Sequence, residues 1–350
     1  MSKQCKRRVL LIKTSSLGDI VHAMTALTDA VLHAPDVCFD WLVDESLVDL
    51  PALHSAVDRV IPVAFRRWRR HPLRFLRSGD YQNLRIALAD RRYDAIIDAQ
   101  GLLKSALLSR LAEGPRYGLD WRSVREPLAS LVYHRRFRIA KDTHAVLALR
   151  QLFSRVLGYA MPVTEPALHV DHTRLPIPSP ESPYVVFLHG TQWPTKHWPE
   201  RYWIELAHLV QDTGFDLWLP AKSKAEGRRA DVIAGDCAKA RVLPPSALTE
   251  VVGVLAAARG VVGVDTGLAH LSAALGIPTV VLFGPTSPLR TGAVGRYHRN
   301  LSATLPCAPC LSRHCRYQGP SEVTPACFQS LSPTHVFGEL TSLIAERSAT

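Results

Sequence analysis

The chain has 350 residues, 47% hydrophobic and 21% charged, the balance of a globular protein long enough for two domains. Its formal charge of +11 favours an anionic partner: nucleic acid, anionic lipid or a phosphorylated substrate. No stretch approaches the roughly 20 apolar residues of a spanning helix, and the run Val9-Leu10-Leu11-Ile12 behind the basic N-terminus is too short for a signal-peptide core. These features point to a cytosolic protein with a membrane surface as a resting place. Seven cysteines in such a chain argue against a disulfide framework.

The β-α-β rhythm of a covered parallel sheet begins at once. Arg8 to Lys13 predicts a buried strand, and Ile20 to His33 a helix with apolar residues at Ile20, Val21, Met24, Leu27 and Val31. Phe39 to Val43 and Val60 to Val63 read as strands, Tyr81 to Arg91 as a helix, Ala95 to Asp98 as a strand and Leu103 to Ala112 as a helix. Leu175 to Pro183 is proline-rich and fits neither a helix nor a central strand. The rhythm then restarts: strands at Tyr184 to Leu188, Asp216 to Leu219, Gly260 to Val264 and Thr279 to Phe283; helices at Glu200 to Thr213, Ala225 to Ile233, Leu248 to Ala258 and Leu268 to Leu275. The expected organisation is an N-terminal domain over 1–172, a linker over 173–183, a C-terminal domain over 184–332 and a closing helix over 333–350. The fold class is α/β: two doubly wound, Rossmann-like domains facing a central cleft. Ligands of such sheets lie at the carboxyl ends of strands, so residues just after strands carry most weight.

Val261 to Val264 is an apolar run that ends at Asp265-Thr266-Gly267-Leu268-Ala269-His270, where a helix starts. Its unpaired first amides and dipole make an anion site. Gly267 allows close backbone approach, Thr266 can donate to a phosphate, and His270 lies one turn in. Equally weighted on its own is a plain helix cap by Asp265 or Thr266. Phe283-Gly284-Pro285-Thr286 repeats the strand-then-turn pattern, which favours a site.

Lys13-Thr14-Ser15-Ser16-Leu17-Gly18-Asp19 is a second small polar loop after a strand. It lacks G-x-G-x-x-G spacing, which disfavours a nicotinamide enzyme. Asp19 is a candidate general base, with an N-cap as the commoner role for such an Asp. A third loop, His189 to Pro199, offers Thr191 and Lys196 to a diphosphate, against a solvated surface lysine; Trp198-Pro199-Glu200 reads as a structural helix start. Arg66-Arg67-Trp68-Arg69-Arg70-His71, with Arg122, Arg125, Arg135, Arg136 and Arg138, suits phosphate or carboxylate binding, against a solvated charged loop. No nucleic-acid-binding signature accompanies it. The cluster Cys307, Cys310, Cys315 and Cys327 could hold zinc, but its spacing and interrupting prolines favour a packing role.

Taken together, the motifs resemble the bacterial lipopolysaccharide heptosyltransferases of glycosyltransferase family 9 along nearly the whole chain. The resemblance rests on Lys13 to Asp19, Asp98-Ala99-Gln100-Gly101-Leu102-Leu103-Lys104-Ser105, Arg125 to Leu131, Lys196-His197-Trp198-Pro199, Asp265 to His270 and Phe283 to Thr286. The first two blocks, with Gly118-Leu119-Asp120-Trp121 and the Arg-Glu-Pro run, look most like the type I branch that adds the first heptose.

The resemblance implies a GT-B fold and inverting transfer of L-glycero-D-manno-heptose from ADP-heptose to Kdo of Kdo2-lipid A. It implies no metal or other cofactor, no nucleic acid, and work at the cytoplasmic face of the inner membrane. Asp19 matches the catalytic base. Lys196, the second catalytic candidate, falls with Thr191, Gln192, Asp265, Thr266, Gly267 and His270 around the donor phosphates, and Glu226 falls at the donor ribose. Ser15, Gly18, Gln100, Arg66, Arg67, Arg69, Arg70 and Arg125 fall on the acceptor side. Gln192 and Trp193 depart from the usual loop, and the cysteine cluster looks more like the type II branch, which adds the second heptose. That branch stays open, as do, further off, a sugar-nucleotide epimerase and a basic nucleic-acid-binding protein.

Overall fold

The computed structural model describes residues 5–70, 79–235 and 237–350, apart from the side chains of Arg66, Arg69 and Arg70. The chain divides into two compact units, Met1–Thr173 and Arg174–Thr350.

In the first unit the elements are β1 (Arg7–Ile12), α1 (Leu17–His33), β2 (Val37–Asp44), α2 (Asp49–Ala52), β3 (Val57–Val63), α3 (Phe65–Arg70), α4 (Gly79–Ala89), β4 (Ala95–Asp98), α5 (Leu103–Ser109), β5 (Arg116–Leu119), a 3-10 segment at Pro127–Val132, β6 (Arg135–Phe137) and α6 (Ala145–Leu157). The six strands form one parallel sheet in the order β3-β2-β1-β4-β5-β6. β2 and β4 are buried along their whole length, as strands covered on both faces must be. α1 and α6 pack together, and the buried Arg150 of α6 pairs with Asp29 of α1. Gly158 ends α6 in the left-handed conformation (φ 80°) that glycine adopts without a Cβ clash.

The second unit holds β7 (Tyr184–Leu188), α7 (Glu200–Asp212), β8 (Asp216–Pro220), α8 (Lys224–Ala234), β9 (Ala240–Leu243), α9 (Leu248–Ala257), β10 (Gly260–Val264), α10 (Gly267–Ala274), β11 (Thr279–Phe283), α11 (Pro288–Thr291), β12 (His298–Ser302) and α12 (Pro333–Ser348). Its sheet is also parallel, ordered β9-β8-β7-β10-β11-β12. Counted from its own first strand, this is the strand order of the first unit. Phe187, Trp198, Trp203 and Phe328 anchor its core. Residues 175–183 carry neither helix nor strand.

In both sheets the chain reverses its direction of winding between the first and fourth strands: β1 beside β4, and β7 beside β10. Loops diverge there and leave the crevice in which such sheets bind ligands.

The structure adds elements to the sequence reading. β5, β6, β9 and β12 lie at or next to a sheet edge, and each of these short sequences carries at least one arginine that breaks the apolar pattern of a central strand. α6 does carry a helical period, through the buried Val146, Leu149, Leu152, Phe153 and Leu157. Cys5 and Cys38 form a disulfide, a correction to the expectation from cysteine usage: β1 and β2 pair side by side and bring the two Cα atoms to 5.6 Å. No helix among the described residues is long and apolar enough to cross a membrane.

Candidate active site

The first crossover is the turn after β1. Ser16 is the N-cap residue of α1, and Asp19 completes a capping box: its Oδ2 accepts from the Ser16 amide at 2.8 Å and the Ser16 hydroxyl at 3.0 Å. The capping role that residue type suggests is therefore real, but it occupies one oxygen only. Oδ1 faces the ammonium of the buried Lys13 at 3.1 Å, and the Asp19 side chain keeps 36% of its surface exposed. Burial pushes the carboxyl upward, but the Lys13 cation, the Ser16 amide and nearby His22 outweigh it and hold it below the usual carboxylate range. Asp19 is thus an ionised, half-open carboxylate at a strand end. Gly18 lies beside it in the first turn.

Gln100 reaches this turn from the end of β4. Its Oε1 accepts from the amides of Thr14 at 2.9 Å and Ser15 at 3.2 Å. Gln100 and Ser15 thus bond to each other, and Gln100 locks the two strand ends together. Asp98, fully enclosed, accepts from the Gln100 and Gly101 amides and from the hydroxyls of Ser105 and Tyr133. Burial raises the Asp98 carboxyl despite these bonds. No local pattern marks this knot, because Tyr133 joins it from 35 residues away.

Arg67 is exposed and ion-paired with Glu45 at 3.1 Å and Asp80 at 2.9 Å. Arg125 is exposed just after Val124, whose side chain packs on Gly101. The side chains of Arg66, Arg69 and Arg70 lie outside the described residues.

The second crossover joins the ends of β7 and β10. Lys196 Nζ donates to Asp265 Oδ2 at 2.7 Å and to the Asp265 carbonyl at 3.1 Å. His270 Nε2 meets Asp265 Oδ1 at 2.9 Å, and the Thr286 hydroxyl donates to Oδ2 at 2.7 Å. Burial pushes Asp265 upward, but the His270 bond and the Lys196 charge outweigh it and leave the carboxyl far below its usual range. Only 8% of the Asp265 side chain and 16% of the Lys196 side chain are exposed, so Lys196 is no solvated surface lysine. Neither Asp265 nor Thr266 caps α10 through its side chain. The first amides of α10, at Gly267 and beyond, thus open beside a fixed ammonium. His270 is buried against Asp265 and the Phe283 ring.

The loop holding Lys196 is fixed from several sides. Trp198 is buried and donates to the Leu331 carbonyl. Thr191 accepts from the Trp193 amide, and the Trp193 ring lies under Lys196 at 5.0 Å and Arg313 at 4.9 Å. Gln192 is exposed next to it. Glu226, in the first turn of α8, lies over Gly190: a Cβ at that glycine would sit 2.9 Å from the Glu226 carboxyl carbon. One Glu226 oxygen accepts from the Lys222 amide. His189 is buried at the end of β7, and burial pushes its imidazole down to about 4, so it stays neutral.

Cys307, Cys310 and Cys315 are exposed and Cys327 is buried. With Thr195, Gly284 and Pro285 they line a cavity of about 650 Å³. Burial raises the Cys327 thiol to about 12. Among the described residues, no group of three or more His, Cys, Asp or Glu side chains is arranged to hold a metal ion.

Comparison with known proteins bears on this geometry. Residues 82–320 match the model of glycosyltransferase family 9 (heptosyltransferase). The chain is 47% identical over 347 residues to lipopolysaccharide heptosyltransferase 1 of Pseudomonas aeruginosa, covering 96% of this chain and 98% of that one. It is 26% identical over 298 residues to lipopolysaccharide heptosyltransferase 2 of Escherichia coli K12, covering 80% and 84%. Its structure resembles that of E. coli heptosyltransferase WaaC with ADP-2-deoxy-2-fluoro heptose, with a TM-score of 0.81 and 40% identity over 96% of this chain and 99% of that one. Two parallel six-stranded sheets, a shared strand order and this similarity establish a GT-B-like α/β fold. The chain belongs to glycosyltransferase family 9 and is a glycosyltransferase.

Proposed function

We propose that this enzyme transfers L-glycero-D-manno-heptose from ADP-heptose to a Kdo residue of Kdo2-lipid A, with inversion at the anomeric carbon. The observation that carries the donor half is Lys196, pinned by Asp265 beside the open amides of α10. A cation and a helix N-terminus together suit a nucleotide diphosphate. The ADP-heptose analogue bound by WaaC supports that donor.

In this reading Asp265 does not touch the donor, since a carboxylate would repel a diphosphate. It positions Lys196. Thr191, Gln192, Thr266 and Gly267 line the phosphate side, and Glu226 takes the ribose. As the bond from the anomeric carbon to the diphosphate breaks, Lys196 and the α10 amides take up the charge that collects on ADP, and the scheme calls for no metal.

Asp19 accepts the proton of the attacking acceptor hydroxyl. Its depressed pKa keeps it ionised at neutral pH but makes it a weak base. Proton transfer therefore comes late, when the new carbon–oxygen bond has made the hydroxyl acidic. Ser15, Gly18, Gln100, Arg66, Arg67, Arg69, Arg70 and Arg125 are the acceptor-side residues of this reading, the arginines matched to phosphates and carboxylates. Gln100 contributes by fixing the loop. An acceptor anchored on a lipid places the reaction at the cytoplasmic face of the inner membrane.

The type 1 reading is favoured over type 2 by the 47% against 26% identity. A transfer assay with ADP-heptose tests it. Transfer to Kdo2-lipid A and none to a lipid A that already carries one heptose is expected; transfer only to the heptosylated acceptor would overturn the reading.

A further inference from the structure

Six leucines of the first unit are exposed, and besides Leu32 and Leu147 they fall on two neighbouring segments. Leu103 and Leu107 of α5 are 36% and 50% exposed, and Leu128 and Leu131 of the 3-10 segment are 53% and 61% exposed. They are not scattered. Spacings of four on an α-helix and of three on a 3-10 helix put each pair on one face. The opposite faces meet in a small core of Ala106, Val124, Ala129 and Tyr133. The two segments are also tied at their starts: the Leu103 amide donates to the Glu126 carboxylate at 2.7 Å, and the Glu126 amide to the Gly101 carbonyl. Leu103 and Leu128 therefore flank one junction, with their partners a turn further along.

The surroundings are cationic. Residues 102–138 hold eight Lys or Arg against three Asp or Glu. The three acids are spoken for: Glu113 pairs with Arg92, Asp120 accepts from backbone amides, and Glu126 holds Leu103. Arg110, Arg122, Arg125, Arg135 and Arg136 are exposed. Isolated surface leucines need no explanation, but paired exposed leucines on a stretch rich in exposed arginines match the boundary of an anionic bilayer, with acyl chains for the leucines and headgroups for the guanidiniums.

We propose that Leu103, Leu107, Leu128 and Leu131, with the arginines around them, form the surface by which the enzyme docks on an anionic phospholipid bilayer. This deepens the reading of a lipid-borne acceptor and rests on it for its purpose. The face is too small to insert deeply, so docking is shallow and reversible, and salt weakens it.

The test is co-sedimentation of the full chain with vesicles of phosphatidylglycerol and phosphatidylethanolamine that hold no lipopolysaccharide precursor. The wild-type chain is expected to sediment with these, and little with phosphatidylcholine vesicles or in high salt. Leu107→Ser/Leu131→Ser should lose about tenfold or more in partition, with its melting temperature and its transfer to a deacylated, soluble acceptor unchanged. Equal partition of the double variant would overturn the proposal. So would a wild-type chain that stays in solution, or a double variant whose only change is loss of self-association without vesicles. Failure of the wild-type enzyme to glycosylate the soluble acceptor would instead count against the proposed function, since the vesicle measurement needs no transfer.

Discussion

At the first crossover, Asp19 has a side chain 36% exposed, bonded to Lys13 and to Ser16 in its own turn. At the second, Asp265 has a side chain 8% exposed and is held by Lys196, His270 and Thr286 from three different loops or helices. The two sheets have the same strand order, so the topology supplies the same crevice twice. The difference lies in the partners. A carboxylate that spends one oxygen on its own helix cap and meets one lysine with the other keeps an open side for a reacting group. A carboxylate saturated by a lysine, a histidine and a hydroxyl has become scaffold, and the functional group it presents is the lysine. One fold thereby yields a candidate base in one unit and a candidate anion grip in the other.

Substitutions can break this contrast. The largest effect is expected at Asp19: Asp19→Ala should lower kcat by about 10³-fold, within the range for removal of a general base. Lys196→Met should lower kcat/KM for the donor by about 10²-fold, as lost transition-state charge stabilisation does. It should also cost about 3 kcal/mol of stability, because Asp265 keeps its charge in a buried site without its cation. Urea unfolding measures that cost, and an unchanged midpoint would mean that Lys196 is not the partner Asp265 depends on.

Lys13→Met is a finer probe. It removes the cation that holds the Asp19 carboxyl down, so the acid limb of the pH–rate profile should move to higher pH. A limb that stays in place would detach that ionisation from Asp19. Asp265→Asn addresses stability. The folded-state pKa of Asp265 is depressed, so its contribution is fully present above the unfolded carboxylate value of 3.8 and is lost as pH falls towards the folded value. The variant should unfold less steeply than the wild type below pH 3.8, as thermal melts across that range would show. The smallest effect is expected at Gly190→Ala: its Cβ would displace Glu226 and raise the donor KM by a few-fold, with kcat unchanged.

Much of the fold was legible. Ala95–Asp98, Tyr184–Leu188, Gly260–Val264 and Thr279–Phe283 match the expected strands residue for residue, because central parallel strands must be apolar on both faces. Edge strands such as β6 and β12 are held by backbone pairing to a neighbour, which leaves no period in the side chains. The loops that bear Asp19, Lys196 and Asp265 were legible from their place after strands. What each side chain does there was not. The pairing of Lys196 with Asp265 spans 69 residues, and the turning of His270 away from open space depends on that same carboxylate. The Asp98–Tyr133 knot and the neutral, buried His189 are likewise products of tertiary packing.

The central claim is a division of labour: chemistry at the first crossover, donor grip at the second. Calorimetric titration of ADP-heptose into Asp19→Ala and Lys196→Met tests it most directly. Asp19→Ala should bind the donor within about twofold of the wild type despite its lost turnover, and Lys196→Met should bind it at least tenfold more weakly. Equal weakening in both variants, or donor binding lost in Asp19→Ala alone, would contradict the account.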